Sequence, residues 1–63
     1  MITLNKYSDR PNRAYLELYG LSTDEKPIGM FNQVPIGNAS TLLEMDTGAI
    51  FMYDEENAKW YQI

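Results

Sequence analysis

Sixty-three residues with a formal net charge of −4 and with neither Cys nor His exclude several classes of protein. Disulfide scaffolds and most zinc sites need these two residue types, and the usual general base at neutral pH is His. Nine Asp and Glu against five Lys and Arg oppose binding to the phosphate backbone of nucleic acids, which relies on clustered cations. We therefore expect no enzyme, no metal or organic cofactor and no nucleic-acid partner.

The hydropathy pattern also argues against a membrane partner. No apolar run approaches the roughly 20 residues that span a bilayer, and residues 1–10 lack the basic and apolar regions of a signal peptide. We expect a product made in the cytoplasm, with one domain over 1–63. A chain this short buries only about 60% of the surface that its unfolded form exposes. Because disulfides and zinc are excluded, oligomerisation is the expected source of further stability.

Residues 1–12 allow two interpretations. Ile2 and Leu4 alternate with polar neighbours, as they would in a short strand, but the turn-forming residues 8–12 end that pattern. A mobile N-terminal arm over 1–12 accounts for the same residues, since chain termini fray unless something holds them.

Residues 13–19, RAYLELY, alternate an aliphatic set with a set of Tyr and Glu, which predicts a strand with one aliphatic face. A short helix is the alternative, because Ala, Leu and Glu are good helix formers. Gly20 would end such a helix after barely two turns. We therefore predict the strand and expect it to pair with the C-terminal strands.

Residues 20–38 contain three Gly and two Pro with no sustained period, and a structureless loop of this length is unusual in a compact domain. If the segment folds onto its own domain, a tight turn at 22–25 and a short edge strand at 28–31 are expected. Otherwise it is an extended arm that becomes ordered on a partner. Its apolar side chains must cover a surface in either case, which makes Met30 and Phe31 candidate binding residues.

The C-terminal stretch 40–63 holds most of the strongest strand-forming residues. It predicts three strands joined by two turns, near 40–45, 49–53 and 59–63. A meander is the simplest connection between them. The second of these strands is apolar on both faces, a pattern typical of a central strand that is covered on both sides.

The turn between the first two of these strands allows two registers. A loop of three residues, 46–48, would pair Leu43 with Phe51 and would place Gly48 in the left-handed conformation. A loop of two residues would pair Leu43 with Met52 and would force a β-branched Thr to positive φ, which is sterically unfavourable. We therefore predict the three-residue loop.

Aromatic side chains are the main candidates for a binding site. Tyr53, Trp60 and Tyr61 lie on neighbouring predicted strands and could form a platform for a sugar ring or a protein. In the alternative interpretation, Trp60 closes the small core. The three side chains are therefore candidate binding residues whose roles depend on the face on which each one lies.

The acidic residues predict structural roles. The run 54–56 with Asn57 could place oxygens around Ca²⁺, but it lacks the Asp-x-Asp spacing of a calcium loop and is interpreted as a solvated turn. Glu17 and Glu44 lie within predicted strands, where charges that face outward oppose edge-to-edge pairing. No metal site follows from these residues.

Two segments, GLSTDEKP and VPIGNASTLLEMDTGAIFMYDEENAKWYQI, resemble a pattern of small proteins from tailed bacteriophages and prophages. The pattern combines Leu-Ser-Thr-Asp-x-Lys-Pro, Pro-x-Gly-Ser/Asn-x-Ser, Glu-Met-Asp-Thr-Gly, Tyr-Asp and Trp, with matches at 21–27, 35–40, 44–54 and Trp60. It covers about two thirds of the chain. Two departures stand out: Ala49 replaces a Lys that is common in the pattern, and residues 1–20 have no counterpart in it.

The resemblance implies a virion or prophage context and brings no catalytic residues with it. The patterns together predict an all-β fold, a small antiparallel β-meander sheet with strands near 13–19, 40–45, 49–53 and 59–63, completed by oligomerisation. As function we expect a small phage structural or accessory protein that acts as a protein–protein interaction module for assembly or attachment. A carbohydrate- or host-surface-binding module is the alternative. The expected partners are a second copy of the chain, a larger virion protein, or both. We expect the chain to be made in the host bacterial cytoplasm, and its incorporation into the virion is left open.

Overall fold

The computed structural model describes residues 1–11 and 13–63. Its regular structure consists of seven strands, which are β1 (Thr3–Asp9), β2 (Ala14–Gly20), β3 (Met30–Phe31), β4 (Val34–Pro35), β5 (Thr41–Glu44), β6 (Ile50–Asp54) and β7 (Lys59–Gln62). The all-β prediction is therefore confirmed. Asn12, the last residue of the segment predicted as a strand or an arm, lies outside the described residues. Within 1–11 and 13–63, no helix is long and apolar enough to cross a membrane.

The five longer strands form one sheet with the order β1-β2-β5-β6-β7. Neighbouring strands are antiparallel except β2 and β5, which run parallel. The prediction of a purely antiparallel sheet is therefore wrong, and the sheet is mixed. Parallel neighbours need a crossover connection, and residues 21–40 supply it. The chain adopts this topology because the apolar crossover segment then covers one face of the sheet.

That face carries the hydrophobic core, and we call it the covered face. Successive side chains of a strand point to opposite sides of the sheet, so every second residue of β2 enters the core. The buried apolar side chains are Ala14, Leu16, Leu18, Ile36, Leu42, Tyr53 and Trp60.

The crossover folds back over the covered face. Its strands β3 and β4 pair only with each other, in a separate two-stranded sheet. The prediction that 28–31 adds an edge strand to the main sheet is therefore wrong. Phe31 and Val34 pack against the core from this small sheet. The indole N–H of Trp60 donates a hydrogen bond of 2.8 Å to the Pro27 carbonyl. Of the two alternatives for 20–38, the structure therefore shows the first, because the segment folds onto the sheet of its own domain.

The hairpin between β5 and β6 differs from both predicted registers. Leu42 pairs with Phe51, which leaves a loop of four residues, 45–48. The Gly48 amide donates to the Glu44 carbonyl at 2.8 Å, and Gly48 has the predicted left-handed conformation, with φ 77°. The fourth loop residue shifts the pairing by one position, and such a shift turns every side chain of β6 to the opposite face.

Candidate interaction surface

The second face of the five-stranded sheet, which we call the open face, is left uncovered by the described residues. Strand pairing arranges its side chains in two rows across the sheet. The apolar row consists of Tyr19, Leu43 and Ile50, and the mixed row consists of Glu17, Thr41, Met52 and Tyr61. The crossover cannot cover these rows because it lies against the opposite side of the same sheet.

Three apolar side chains of the open face are strongly exposed. Ile50 is 46% exposed, Met52 42% and Tyr61 45%. The second predicted strand of the C-terminal stretch, β6, was expected to be covered on both faces. Within the described part of the chain, only its side with Tyr53 is buried. Neighbouring exposed apolar side chains on a small soluble protein are typical of an interaction surface.

Polar groups lie beside the exposed apolar side chains on the open face. The Glu17 carboxylate accepts hydrogen bonds from the Asn5 amide at 3.2 Å and from the Tyr15 hydroxyl at 3.1 Å. The Lys59 ammonium lies 5.2 Å from the centre of the Tyr61 ring. Because Glu17 already has two partners within the chain, its charge can approach a neighbouring surface at a lower desolvation cost than a free carboxylate.

The predicted aromatic platform is divided between the two faces. The rings of Tyr53 and Trp60 meet edge to face with centres 4.9 Å apart, and both side chains are buried. The Tyr53 hydroxyl accepts a hydrogen bond from the Gly29 amide at 2.7 Å. Tyr61 lies on the open face. Tyr53 and Trp60 therefore hold the crossover, as the alternative interpretation of Trp60 anticipates, and Tyr61 is separated from them by the sheet.

The other two candidate binding residues lie in the crossover, away from the open face. Met30 is 52% exposed, whereas Phe31 is half-buried and packs against the core. The turn between β3 and β4 places Asn32 and Gln33 at positive φ, 50° and 68°. The structure therefore brings neither Met30 nor Phe31 together with Tyr61.

Four residues of the open face were not predicted as binding residues from the sequence: Tyr19, Leu43, Ile50 and Met52. The alternation of residues 13–19 already placed Tyr19 opposite the aliphatic side of its strand. The assignment of Ile50 and Met52 to the face of Leu43 needs the register of the hairpin. That register depends on one extra loop residue, which local sequence rules did not select.

Glu44 faces the covered side, and the prediction that it points outward is wrong. It is only 7% exposed and pairs with the Lys26 ammonium at 2.7 Å. That hydrogen bond, supported by one from the Thr47 hydroxyl, lowers the pKa of the Glu44 carboxyl below its ordinary value. The ion pair joins the crossover to the end of β5, which is a structural role.

The acidic turn after β6 is organised by its own hydrogen bonds. Asp54 accepts from the Glu56 amide at 2.9 Å and from the Asn57 side chain at 2.7 Å. The Asn57 hydrogen bond is the main reason that the pKa of Asp54 lies below its ordinary value. Among the described residues, no group of three or more acidic side chains could hold a metal ion.

Comparisons with known proteins add no relative to this description. No protein-family model, curated protein or solved structure shows significant similarity to the chain. The resemblance to phage and prophage proteins therefore remains a prediction from the residues that carry it.

Proposed function

We propose that this chain is a protein–protein interaction module that docks through the open face, and that it serves a bacteriophage as a small structural or accessory protein. One observation carries the docking role: Ile50, Met52 and Tyr61 are neighbours on one sheet face and are each more than 40% exposed. Protein interfaces bury apolar side chains at their core and keep polar groups at the margin.

The phage context is supported by the resemblance of 21–63 to the phage and prophage pattern. Several residues of that pattern have a structural role in the fold. Gly37 lies so close to β2 that a Cβ on it would come within 2.7 Å of the Ala14 carbonyl oxygen, and Trp60 anchors the crossover. The pattern therefore supports a shared fold, while the binding role depends on the open face.

The virion role is tested on purified particles of the phage that encodes the chain. Mass spectrometry should detect the wild-type chain in those particles, because the proposal places it in the virion after synthesis in the host cytoplasm. Ile50→Lys should be lost from the particles, since it puts a charge into the apolar row. Ile28→Lys is the matched control, because Ile28 is 57% exposed but lies in the crossover.

Two results would count against this proposal in different ways. Absence of the wild-type chain from the particles would overturn the virion role and favour an intracellular regulator. Equal retention of the Ile50→Lys and Ile28→Lys chains would overturn the open face as the binding surface.

A carbohydrate-binding module is the second candidate, because three Tyr residues lie on the open face. Tyr15, Tyr19 and Tyr61 could stack on sugar rings while Glu17 bonds to hydroxyl groups. Glycan binding that is lost in Tyr61→Ala, with self-association unchanged, would favour this candidate. Trp60 is unsuitable for such a test, since its buried ring holds the core.

A further inference from the structure

We infer that the occupant of the open face is a second copy of this chain, packed face to face about a two-fold axis that runs parallel to β5. This inference rests on the proposed function, in which the open face binds protein, and it names the partner and its geometry.

The charges of the open face favour a second copy over a strongly charged partner. Lys6 lies opposite Glu17 in the pairing of β1 with β2, and Asp54 lies opposite Lys59 in the pairing of β6 with β7. These four side chains contribute no net charge, although the chain as a whole carries −4. Much of the acidic excess lies at the sheet end formed by 21–26 and 44–48. Because each open face carries no net charge, bringing two of them together costs less than bringing together two faces that carried the acidic excess of the chain.

The two rows decide the direction of the axis. β5 is the central strand, so a two-fold axis parallel to it superimposes each row on the same row of the second copy. Leu43 then meets its own copy, and Tyr19 meets Ile50 of the second copy. Aligned packing of two sheets is a common arrangement in β-sandwiches. An axis perpendicular to the strands can superimpose only one of the two rows on itself, and midway between the rows it would set Tyr19 against Glu17 of the second copy.

The same operation gives the mixed row suitable partners. Thr41 meets its own copy at the axis, and the aliphatic stem of Lys6 packs against the ring of Tyr61 from the second copy. Glu17 comes to lie against Met52 of the second copy while keeping its hydrogen bonds to Asn5 and Tyr15. In the mixed row, the Glu17 carboxylate is the charge that meets an apolar side chain, and it keeps its two hydrogen-bond partners within its own chain.

The size of the face predicts a dimer that dissociates on dilution. Five strands at a spacing of about 4.8 Å make the face about 24 Å wide. Two copies would bury on the order of 1,000 Å² in total, near the lower limit for a specific interface. We therefore expect the monomer and the dimer to be in equilibrium at roughly micromolar concentrations.

The first experiment is light scattering and sedimentation across a dilution series. The wild-type chain should change from twice its 7.3 kDa mass to the monomer mass as it is diluted. Ile50→Lys should remain a monomer throughout, whereas Ile28→Lys should follow the wild-type curve. Circular dichroism should confirm that both variants are folded. A wild-type monomer at every concentration, or a trimer, would overturn the inference.

A second experiment tests the axis itself, using the absence of Cys from the chain. A short bis-maleimide, with a span close to the roughly 10 Å between packed sheets, should link Thr41→Cys chains into dimers several-fold faster than Met52→Cys chains. Ile28→Cys, which is 57% exposed but lies in the crossover on the other side of the sheet, should react only at the rate of random collision. Faster linkage at Met52→Cys than at Thr41→Cys would overturn the proposed axis.

The outcomes separate this inference from the proposed function. A wild-type monomer that still enters phage particles through Ile50 would overturn the second copy as the partner and keep the interaction role. A dimer that is absent from the particles would support the inference and overturn the virion role.

Discussion

At the scale of single residues, Ser40 completes the sheet where β2 and β5 stop pairing. Its hydroxyl accepts a hydrogen bond from the Leu16 amide at 3.0 Å and donates to the Gly37 carbonyl at 2.8 Å. Ser40 is fully buried, so water cannot replace either bond. The tight turn at 37–40 interrupts the backbone pairing, and this hydroxyl takes the place of the missing carbonyl.

Ser40→Ala should lower the free energy of unfolding by about 1–3 kcal/mol, because it leaves the buried Leu16 amide without a partner. Urea unfolding followed by Trp60 fluorescence measures this change. Thr23→Ala is the control, since Thr23 is exposed in a turn, and its effect should stay within about 0.5 kcal/mol. Equal effects of the two substitutions would show that the hydroxyl of Ser40 has no special role.

The two hairpin loops provide a matched pair of backbone positions. Each loop has four residues, 45–48 and 55–58, and the last residue of each is left-handed. Gly48 occupies this position in the first loop, with φ 77°, whereas Ala58 occupies it in the second, with φ 50°. The left-handed conformation is unfavourable for a residue with a Cβ, by roughly 1–2 kcal/mol.

Ala58→Gly should therefore stabilise the protein by about 0.5–1 kcal/mol, since relief of the strain exceeds the larger unfolded-state entropy of Gly. Gly48→Ala should have the opposite effect, of about 1 kcal/mol. No atom lies within 4 Å of a Cβ built on Gly48, so that cost comes from the backbone alone. Thermal unfolding of the two variants checks both signs, and a shift in the same direction for both would contradict this account.

At the scale of elements, the crossover is fastened to the sheet by two aromatic side chains. Tyr53 and Trp60 bind the backbone of the crossover at Gly29 and Pro27. Their rings also pack against each other, so the two anchors support one another. Few other backbone groups of 27–31 have partners in the sheet, so the attachment of this segment depends on the hydrogen bonds of Tyr53 and Trp60.

Tyr53→Phe should cost about 1 kcal/mol of stability, because the part-buried Gly29 amide loses its acceptor. Amide hydrogen exchange at 28–31 should accelerate more than exchange in β2 and β5, since the crossover opens before the sheet unfolds. Tyr61→Phe is the matched control, because its hydroxyl lies on the open face, and both readouts should stay near the wild-type values. Uniform acceleration across all strands would contradict local opening.

At the scale of the whole molecule, carboxylates hold one end of the sheet together. Glu44 binds Lys26, and Asp46 accepts hydrogen bonds from the Ser22 hydroxyl and amide. The bonds from Ser22 lower the pKa of Asp46, as the bond from Lys26 lowers that of Glu44. The ion pair to Glu44 and the hydrogen bonds to Asp46 thus join the start of the crossover to the β5–β6 hairpin.

These lowered pKa values predict a loss of stability in acid. As the pH falls below about 5, the unfolded chain binds protons at these carboxylates before the folded chain does, since unfolded Glu and Asp titrate near 4.3 and 3.9. Stability should therefore be constant from neutral pH to about 5 and should fall as the pH drops through the folded pKa values.

Glu44→Gln tests this account because it removes one of the contributing carboxylates. The variant should be less stable than the wild type at neutral pH and should show a shallower loss in acid. Urea midpoints measured across the pH range check this result. Glu56→Gln, at an exposed turn position, should reproduce the wild-type curve, and an unchanged acid slope in Glu44→Gln would contradict the assignment.

The sequence by itself determined the all-β class, the approximate bounds of β2, β5, β6 and β7, the alternation of residues 13–19 and the left-handed Gly48. Each of these follows from local rules, because β-branched and aromatic residues, period-two patterns and Gly act over a few neighbouring positions. The same rules placed Tyr19 on the face opposite the aliphatic residues of β2. They could not show whether that face was covered.

Only the tertiary structure decided the parallel pairing of β2 with β5, the register of β6 and therefore the composition of the open face. These features depend on contacts between distant residues: Ser40 bonds to Leu16 from 24 positions away, and Trp60 bonds to Pro27 from 33. No local pattern encodes such pairs. One extra residue in a hairpin loop then sends Ile50 and Met52 to the open face, because side chains alternate strictly along a strand.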